Sequence, residues 1–273
     1  IFFITWEHIP DFLNLKHPKL KIVKHSDYLP QEYLPTYNSN TIEMNLHRIT
    51  ELEENFILFN DDLFVLQSMK EDYFFKNNCV CDEAIENIIV TSSFGSVSNM
   101  ARYTQINNMF LINKYFDKRE VQKKNWEKWY CEDYEERLER TKSLQYWNTF
   151  TGFYDPHLAN AMKKTTLSHL WELEYDILHS ASLNHFRAYT DVTQYLIRYW
   201  QLCEGEFYPR KTRGKVFFAD IHNYREIAEA IEKQSYPMIS INESCTDEEF
   251  LIMKTAINRA FEKILPNKSS FEL

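Results

Sequence analysis

The sequence has 273 residues, of which 44% are hydrophobic and 16% aromatic, so it can bury the core of one large domain or two smaller ones. Its formal net charge of −9 excludes a nucleic-acid-binding protein that depends on bulk positive charge, although local basic patches can still contact an anionic substrate. No apolar run reaches the roughly 18 residues of a transmembrane helix, so no membrane-spanning segment is predicted. The 5 Cys lack the spacing of a zinc site, and reduced thiols are expected.

The first part of the chain, residues 1–98, alternates strand and helix patterns and is predicted to begin an α/β core. Short apolar or alternating runs predict strands over residues 1–5, 20–25, 56–65 and 85–90. Apolar residues at helical spacing, after a polar N-cap cluster at 38–40, predict a helix over 41–49.

Residues 99–205 are predicted to form a helical insertion, and residues 206–273 the C-terminal part of the core. Helical patterns are present over 99–117, 118–143 and 189–203, the second of them typical of a solvated surface helix. Another helix is predicted to open at Asp155-Pro156-His157, because Asp155 suits the N-cap and Pro156 the first helical position. The C-terminal part is predicted to contain strands 215–219 and 237–242, and helices 224–233 and, after a capping box at 246–249, up to 265.

Asn60, Asp61 and Asp62 directly follow the apolar run 56–59. Adjacent acids are costly to bury unpaired, and at the carboxyl end of a strand in an open α/β sheet they lie where ligands bind. Oxygen-rich acidic groups there suit Mg²⁺ or Mn²⁺ held together with a substrate phosphate. Taken alone, a polar turn after a core strand is the better interpretation.

The start of the predicted helix 41–49 carries a second polar group. Asn38, Ser39 and Glu43 lie at its N-terminus, where free N–H groups can hold a phosphate or a sugar hydroxyl. Arg48 offers a guanidinium fork for an anion. By itself, a salt bridge between Arg48 and Glu51 or another surface acid is the better interpretation of that residue.

Three polar residues in the insertion, and one after it, allow a functional and a structural interpretation. His157 lies near a predicted helix N-terminus, which favours the neutral imidazole of a general base, but a capping or core histidine is the commoner case. Arg187 and Asp191 are four residues apart on one predicted helix face. They can form an ordinary helix ion pair, or Arg187 can neutralise a transferring phosphoryl group. Asn242 again follows a predicted strand.

Three longer segments carry distinctive motifs that resemble one family. These are LPTYNSNTIEMNLHRI at 34–49 with FNDD at 59–62, residues 152–200 with DPH at 155–157 and HFR at 185–187, and ISINE at 239–243 through PNKSSFE at 266–272. They are similar to the second, third and fourth regions of the Stealth family of sugar-1-phosphate transferases, which includes bacterial capsule polymerases. The resemblance is weakest over 66–150. The family's first region, an apolar strand ending in Trp-Val-Asp, is missing from this sequence and is expected upstream of it.

The resemblance implies a glycosyltransferase-A-like α/β core sheet flanked by helices, with a helical insertion. It also implies a reaction in which an acceptor sugar hydroxyl attacks the β-phosphate of a nucleotide-diphosphate sugar. A nucleoside monophosphate leaves and a sugar-phosphate-sugar diester forms. Both UDP-N-acetylglucosamine and UDP-N-acetylmannosamine suit the donor, and the acceptor would be an oligosaccharide or polysaccharide.

The same resemblance implies roles for individual residues. Asp61 and Asp62 would hold Mg²⁺ (or Mn²⁺) or orient the donor. His157 would take the acceptor proton, and Arg187 would neutralise the diphosphate. Whether Asp62 or His157 is the base stays open. The further residues expected to bind substrate are Asn38, Ser39, Glu43, Arg48, Asn60, Asp191 and Asn242.

Two alternatives remain at this point. An ordinary metal-dependent glycosyltransferase, which moves the sugar without its phosphate, would share the acidic pair and the fold. A non-catalytic carbohydrate-binding module would share the fold alone. The composition, rich in Lys, Asn, Ile and Tyr, and the reduced thiols predict a bacterial cytoplasmic protein, which can associate peripherally with the cytoplasmic face of the inner membrane.

Overall fold

The computed structural model describes residues 1–92 and 97–273, so the end of the first predicted domain segment, residues 93–96, lies outside the described residues. The strands are β1 Phe2–Thr5, β2 Lys21–Lys24, β3 Asn55–Leu58, β4 Leu63–Val65, β5 Phe75–Lys76, β6 Cys79–Asp82, β7 Asn160–Lys163, β8 Phe207–Pro209, β9 Lys215–Ala219 and β10 Met238–Glu243. The α-helices are α1 His25–Tyr28, α2 Ser39–Met44, α3 Val97–Tyr115, α4 Lys118–Lys124, α5 Trp126–Trp129, α6 Leu138–Ser143, α7 Lys164–Leu173, α8 Tyr175–Ser182, α9 Tyr195–Glu204, α10 Tyr224–Glu232 and α11 Asp247–Ile264.

The mixed α/β class is confirmed, but the strands of the described ranges form four small sheets rather than one core sheet. β1 pairs in parallel with β2, and β3 pairs antiparallel with β7. β6 lies between β5 and β8, and β10 lies between β4 and β9. β7 is a strand within the predicted helical insertion, and through β3 it joins that segment to the first part of the chain.

The continuous strand predicted over 56–65 is wrong. The chain forms β3, turns at Asp61 and Asp62, and then forms β4, so each strand belongs to a different sheet. β4 lies antiparallel to β10, and the backbone N–H of Ile241 also donates to the carbonyl of Asp62 at 3.0 Å. The acids therefore lie on a connection between two sheets, where their side chains avoid burial in a continuous ladder.

The two larger of the three hydrophobic clusters in the described residues meet at β4. The main cluster combines buried residues from β3, β7, α3, α7, α8 and α9, among them Phe56, Met162, Leu170 and Ile197. The C-terminal cluster is formed by β4, β9, β10, α10 and α11 and includes Phe217, Ile227 and Met253. β4 contributes Leu63 to the packing of the first cluster and Phe64 to that of the second.

The predicted elements of the C-terminal part are confirmed, including the capping box. The hydroxyl of Thr246 accepts from the backbone N–H of Glu249 at 3.4 Å, and the Glu249 carboxylate accepts from the N–H of Thr246 at 2.9 Å. This reciprocal pairing satisfies two of the free donors at the start of α11.

Three predicted helices are shorter or more broken than expected. The helix predicted over 41–49 ends at Met44, where the Asn45 side chain turns back to donate to the Thr41 carbonyl at 2.8 Å. The segment 118–143 is divided into α4, α5, a 3₁₀ turn at Glu132–Arg137 and α6. It is not a solvated surface helix, since Trp129 is fully buried and Lys118 forms a fully buried ion pair with Glu86 at 2.8 Å. The helix predicted over 189–203 begins later, at Tyr195.

The strand predicted over 85–90 is also wrong. The neighbouring segment 79–82 forms β6 instead, while Glu86 makes only an isolated bridge to Phe153. None of the helices in the described parts of the chain combines the length and the hydropathy needed to cross a bilayer.

Candidate active site

A cleft of about 600 Å³ opens beside the turn between β3 and β4. Its walls come from this turn, the end of β10, the loops 151–159 and 184–191, and α11. The polar residues that line it are Asn60, Asp61, Asp62, His157, Arg187, Asn242, Glu243, Lys254 and Asn258. The fold therefore brings together six of the residues selected from the sequence, although they lie up to 182 positions apart (60 to 242).

Asp62 and His157 are in direct contact. The Oδ2 atom of Asp62 lies 3.0 Å from Nε2 of His157 and also accepts from the hydroxyl of Ser240 at 2.8 Å. The amide of Asn242 donates to that hydroxyl at 2.9 Å. Because side chains two apart lie on the same face of a strand, Ser240 and Asn242 of β10 both face the acid. The pair can accept one further proton when the carboxylate is ionised and the imidazole neutral.

The backbone at His157 differs from the prediction. Residues 155–157 open no helix; they lie in a loop before β7, and His157 adopts a left-handed conformation with φ of 44°. A helix N-terminus therefore does not explain a neutral imidazole here. The loop is held instead by Asp155, whose buried carboxylate accepts from Arg198 Nη1 at 3.1 Å and from Gln105 at 2.9 Å. Burial raises the pKa of Asp155 to about 6, although Arg198 opposes the shift.

The second oxygen of Asp62 is suited to a cation. Oδ1 is buried and has no hydrogen-bond partner among residues 1–92 and 97–273, whereas the neighbouring Asp61 is exposed to the cleft. The described chain contains no group of three or more His, Cys, Asp or Glu that could hold a metal. The two adjacent carboxylates suit an ion such as Mg²⁺, which binds one or two carboxylates and completes its shell with water and substrate phosphate.

The side chain of Glu43 contacts Asn60, at the start of the turn that carries Asp61 and Asp62. Its Oε1 atom accepts from the side-chain amide of Asn60 at 3.0 Å. Burial raises the pKa of Glu43 to about 7; the charges of Asp61 and Asp62 add to this shift, while Asn60 and Arg187 oppose it. Glu43 is thus a carboxyl group that can be neutral near pH 7 beside two acids.

Arg187 and Asp191 do not form the helical ion pair that their spacing predicted. The segment 184–190 is a loop, in which Arg187 Nη2 donates to the hydroxyl of Ser39 at 2.8 Å. Asp191 is fully buried and accepts from four donors: Asn38 at 2.8 Å, Asn40 at 3.1 Å, Asn184 at 2.7 Å and the backbone N–H of Ala188 at 3.0 Å. Asn38 and Asp191 therefore lie behind the cleft, where they join the start of α2 to the loop that carries Arg187.

Arg48 lies away from this cleft. Its Nε atom donates to Asn45 at 2.8 Å, and its guanidinium lies 4.7 Å from the centre of the Trp171 ring. It lines a separate cleft of about 470 Å³ next to β2. Arg48 forms no ion pair with an acid among the described residues, and Glu51 pairs with Lys21 instead.

Several residues of the site were not selected from the sequence. Ser240 could have been found from its period-two spacing with Asn242. Lys254 and Asn258 are four apart on α11, so one helix face brings both to the cleft. Tyr195, whose hydroxyl lies 3.5 Å from Nδ1 of His157, gives no such signal, because its approach depends on how α9 packs.

Comparisons with known proteins identify the family of the chain. Residues 1–82 match the family model described as Stealth protein CR2, conserved region 2. The whole chain is 37% identical over 272 residues to capsular polysaccharide phosphotransferase WcwK of Streptococcus pneumoniae and covers 80% of it. It is 31% identical to exopolysaccharide phosphotransferase cps2G of Lactiplantibacillus plantarum, covering 79%, and 26% identical to receptor polysaccharide phosphotransferase WefC of Streptococcus oralis, covering 81%. The chain therefore belongs to the Stealth family of sugar-phosphate transferases.

Proposed function

We propose that this enzyme transfers a hexose-1-phosphate, of the N-acetylhexosamine type, from a UDP-sugar to a hydroxyl of a capsular or exopolysaccharide acceptor. The observation that carries the proposal is the Asp62–His157 pair, which shares one cleft with the cations Arg187 and Lys254. A proton acceptor beside two positive charges is the arrangement that transfer of an anionic phosphoryl group from a hydroxyl nucleophile requires.

The proposed step conserves atoms and charge. The acceptor oxygen forms a bond to the β-phosphorus while its proton passes to the Asp62–His157 pair. The bond between the β-phosphorus and the bridging oxygen breaks, and UMP leaves with that oxygen and the electron pair. Arg187 and Lys254 neutralise the diphosphate, and positioning by these residues supplies most of the rate enhancement.

Residues around the pair orient it and the sugar. Ser240 and Asn242 hold Oδ2 of Asp62 towards His157, while Asn60 and Glu43 fix the acidic turn. Ser39 holds Arg187, and the buried contact of Asn38 with Asp191 fixes the loop behind it. Arg48 lies in the second cleft and has no role in this step.

Two further elements belong to the proposal. Oδ1 of Asp62 and the carboxylate of Asp61 would hold Mg²⁺ (or Mn²⁺), which supplies charge neutralisation at the phosphates when it is bound. The parallel strands β9 and β10, with polar residues at their ends, support a variant of the glycosyltransferase-A-like core. The five free thiols of the chain support a bacterial cytoplasmic location.

The released nucleotide tests the proposal. Full-length protein is incubated with Mg²⁺, an oligosaccharide acceptor, and UDP-N-acetylglucosamine or UDP-N-acetylmannosamine in turn. We expect UMP and a phosphodiester-linked product with one of these donors. Release of UDP would instead support an ordinary metal-dependent glycosyltransferase, and release of neither nucleotide would support a non-catalytic carbohydrate-binding module.

A further inference from the structure

Two aromatic side chains, Tyr37 and Phe186, stack on each other and are both exposed to solvent. The rings of Tyr37 and Phe186 lie 5.2 Å apart between centroids and only 12° from parallel. Tyr37 is nevertheless 71% exposed and Phe186 69% exposed. Because each ring covers one face of the other, this exposure comes mainly from the outer faces and edges. Contiguous exposed apolar surface of this kind marks a binding site more often than chance.

The pair is fixed beside the cleft. The backbone N–H of Tyr37 donates to the carbonyl of His185 at 2.8 Å, which ties the two segments together. Phe186 directly precedes Arg187, which lines the cleft and binds Ser39. Since consecutive Cα atoms are about 3.8 Å apart, the backbone of the stacked pair continues directly into the residue proposed to face the phosphate.

The same loop carries a second exposed aromatic pair. Tyr189 packs edge-on against Tyr103 of α3 at 5.1 Å, and the two residues are 51% and 43% exposed. The side-chain amide of Asn107 donates to the carbonyls of Tyr189 and Asp191, both at 2.8 Å, so the loop is also fixed to α3. Aromatic rings thus flank Arg187 in the sequence on both sides, on a backbone that is anchored at both ends.

We propose that Tyr37, Phe186, Tyr189 and Tyr103, here called the aromatic platform, bind the sugar units of the acceptor chain adjacent to the one that reacts. The proposal rests on the proposed function and extends it to the acceptor. Rigid rings offer large contact area at low entropic cost, and their faces match the C–H faces of sugar rings. A chain acceptor must extend out of the cleft, and Phe186 and Tyr189 lie on the loop whose Arg187 lines it.

The size of the platform argues against a protein partner. A stable protein–protein interface buries about 800 Å² on each partner and involves some 20–30 residues a side. Two aromatic pairs provide far less than that. Their contact with uncharged sugar faces also needs no charge complementarity, which suits a protein with a formal net charge of −9.

The test compares acceptor and donor kinetics in full-length protein. Tyr37→Ala, Phe186→Ala and the double variant are assayed with oligosaccharides of increasing length. We expect the acceptor KM to rise roughly three- to tenfold for each lost ring, and the gain in affinity with acceptor length to disappear in the double variant. The donor KM should stay unchanged. Tyr37→Phe, which keeps the ring, should restore the acceptor KM.

The matched control is Tyr146→Ala, which removes an 82% exposed tyrosine outside the cleft and should change none of these values. Thermal unfolding of all variants checks that the fold is intact. An unchanged acceptor KM in the folded double variant would overturn the proposal while leaving the proposed function standing. If wild-type protein releases no UMP, the proposed function fails, and calorimetric binding of the oligosaccharide alone decides the inference. Binding to wild type that is lost in the double variant supports the inference. Binding that is equal in the two proteins, or no binding to wild type, overturns it.

Discussion

At Asp62, one oxygen of the carboxylate has two partners and the other has none among the described residues. Oδ2 contacts His157 and Ser240, while the buried Oδ1 is left for a ligand. In the proposed reaction, the first oxygen would take part in proton transfer and the second would hold the cation.

Asp62→Asn and His157→Gln should each lower kcat by roughly 10²–10⁴, the range expected when a general base is lost. The double variant should lose little more than either single one, because residues that act as a unit are not additive. Transfer rates at saturating donor and acceptor measure this. Near-normal kcat in both single variants, with folding intact, would contradict the role of the pair.

Glu43 predicts a pH dependence of stability. Its pKa is raised from 4.5 to about 7 in the folded protein, so the folded state binds more protons than the unfolded state between these values. Its contribution to stability is therefore complete below pH 4.5 and is lost as the pH rises through 7. Glu43→Gln cannot ionise but keeps an oxygen that can accept from Asn60.

Relative to wild type, Glu43→Gln should gain on the order of 3 kcal/mol in the free energy of unfolding between acidic and mildly alkaline pH. Urea unfolding of both proteins across that range measures the difference. Parallel pH profiles for the two proteins would show that the Glu43 carboxyl is not buried as described.

At the scale of elements, the loop 184–191 has separate functional and structural residues. Arg187 is exposed to the cleft, whereas Asp191 is buried under four donors. Arg187→Ala should cost less than about 0.5 kcal/mol in stability but most of the transfer activity. Asp191→Ala leaves its buried donors unpaired and should cost about 3 kcal/mol.

Chemical unfolding and transfer rates of these two variants test the separation. Asp191→Asn is the matched control, since it keeps the shape and one acceptor oxygen and should lie between wild type and Asp191→Ala in stability. Equal destabilisation by Arg187→Ala and Asp191→Ala would contradict this division of the loop.

The elements that could be predicted from the sequence are those whose local signals agree with their packing. β9, α10, β10 and the capped α11 combine strong periodicity with clear ends, and the structure has all four. The helix expected at Asp155 fails because Arg198 and Gln105 take up the carboxylate that would have capped it. The charged segment 118–143 was expected to be solvated, but its Lys118 is buried in an ion pair with Glu86. Because Glu86 lies outside the segment, no pattern within the segment indicates this pair.

Among the residues of the candidate site, too, those with a local sequence pattern could be predicted and those placed by long-range contacts could not. Asn60, Asp62 and Asn242 were accessible from the sequence because each is a polar residue at the end of an apolar strand, a local pattern. The pairing of Asp62 with Ser240 needs the register of β4 against β10, which one sequence does not specify. Arg48 was expected in the site because it follows Asn38, Ser39 and Glu43 closely in the sequence, but its side chain packs on Trp171.

At the scale of the whole molecule, the two hydrophobic clusters predict two levels of local stability. The C-terminal cluster contains fewer buried residues than the main one, so it should open at lower free energy. Native-state hydrogen exchange should show the amides of α10 and α11 exchanging as one group, ahead of those of α7 and α9. A bound donor that contacts both Arg187 and Lys254 should slow the hydrogen exchange of α10 and α11 without slowing that of α7 and α9. Identical opening energies in all four helices would contradict this prediction.

The turn at Asn60 to Asp62 is the piece of chain that passes from the main cluster, through β3, to the C-terminal cluster, through β4. The cleft takes Arg187 and His157 from one side of this crossing, and Lys254 from the other. Its geometry therefore exists only while both clusters are intact. On heating, transfer activity should be lost when the weaker cluster melts, at a temperature where most of the helical circular dichroism signal persists. The stability of the C-terminal cluster thus sets the highest temperature at which the enzyme is active.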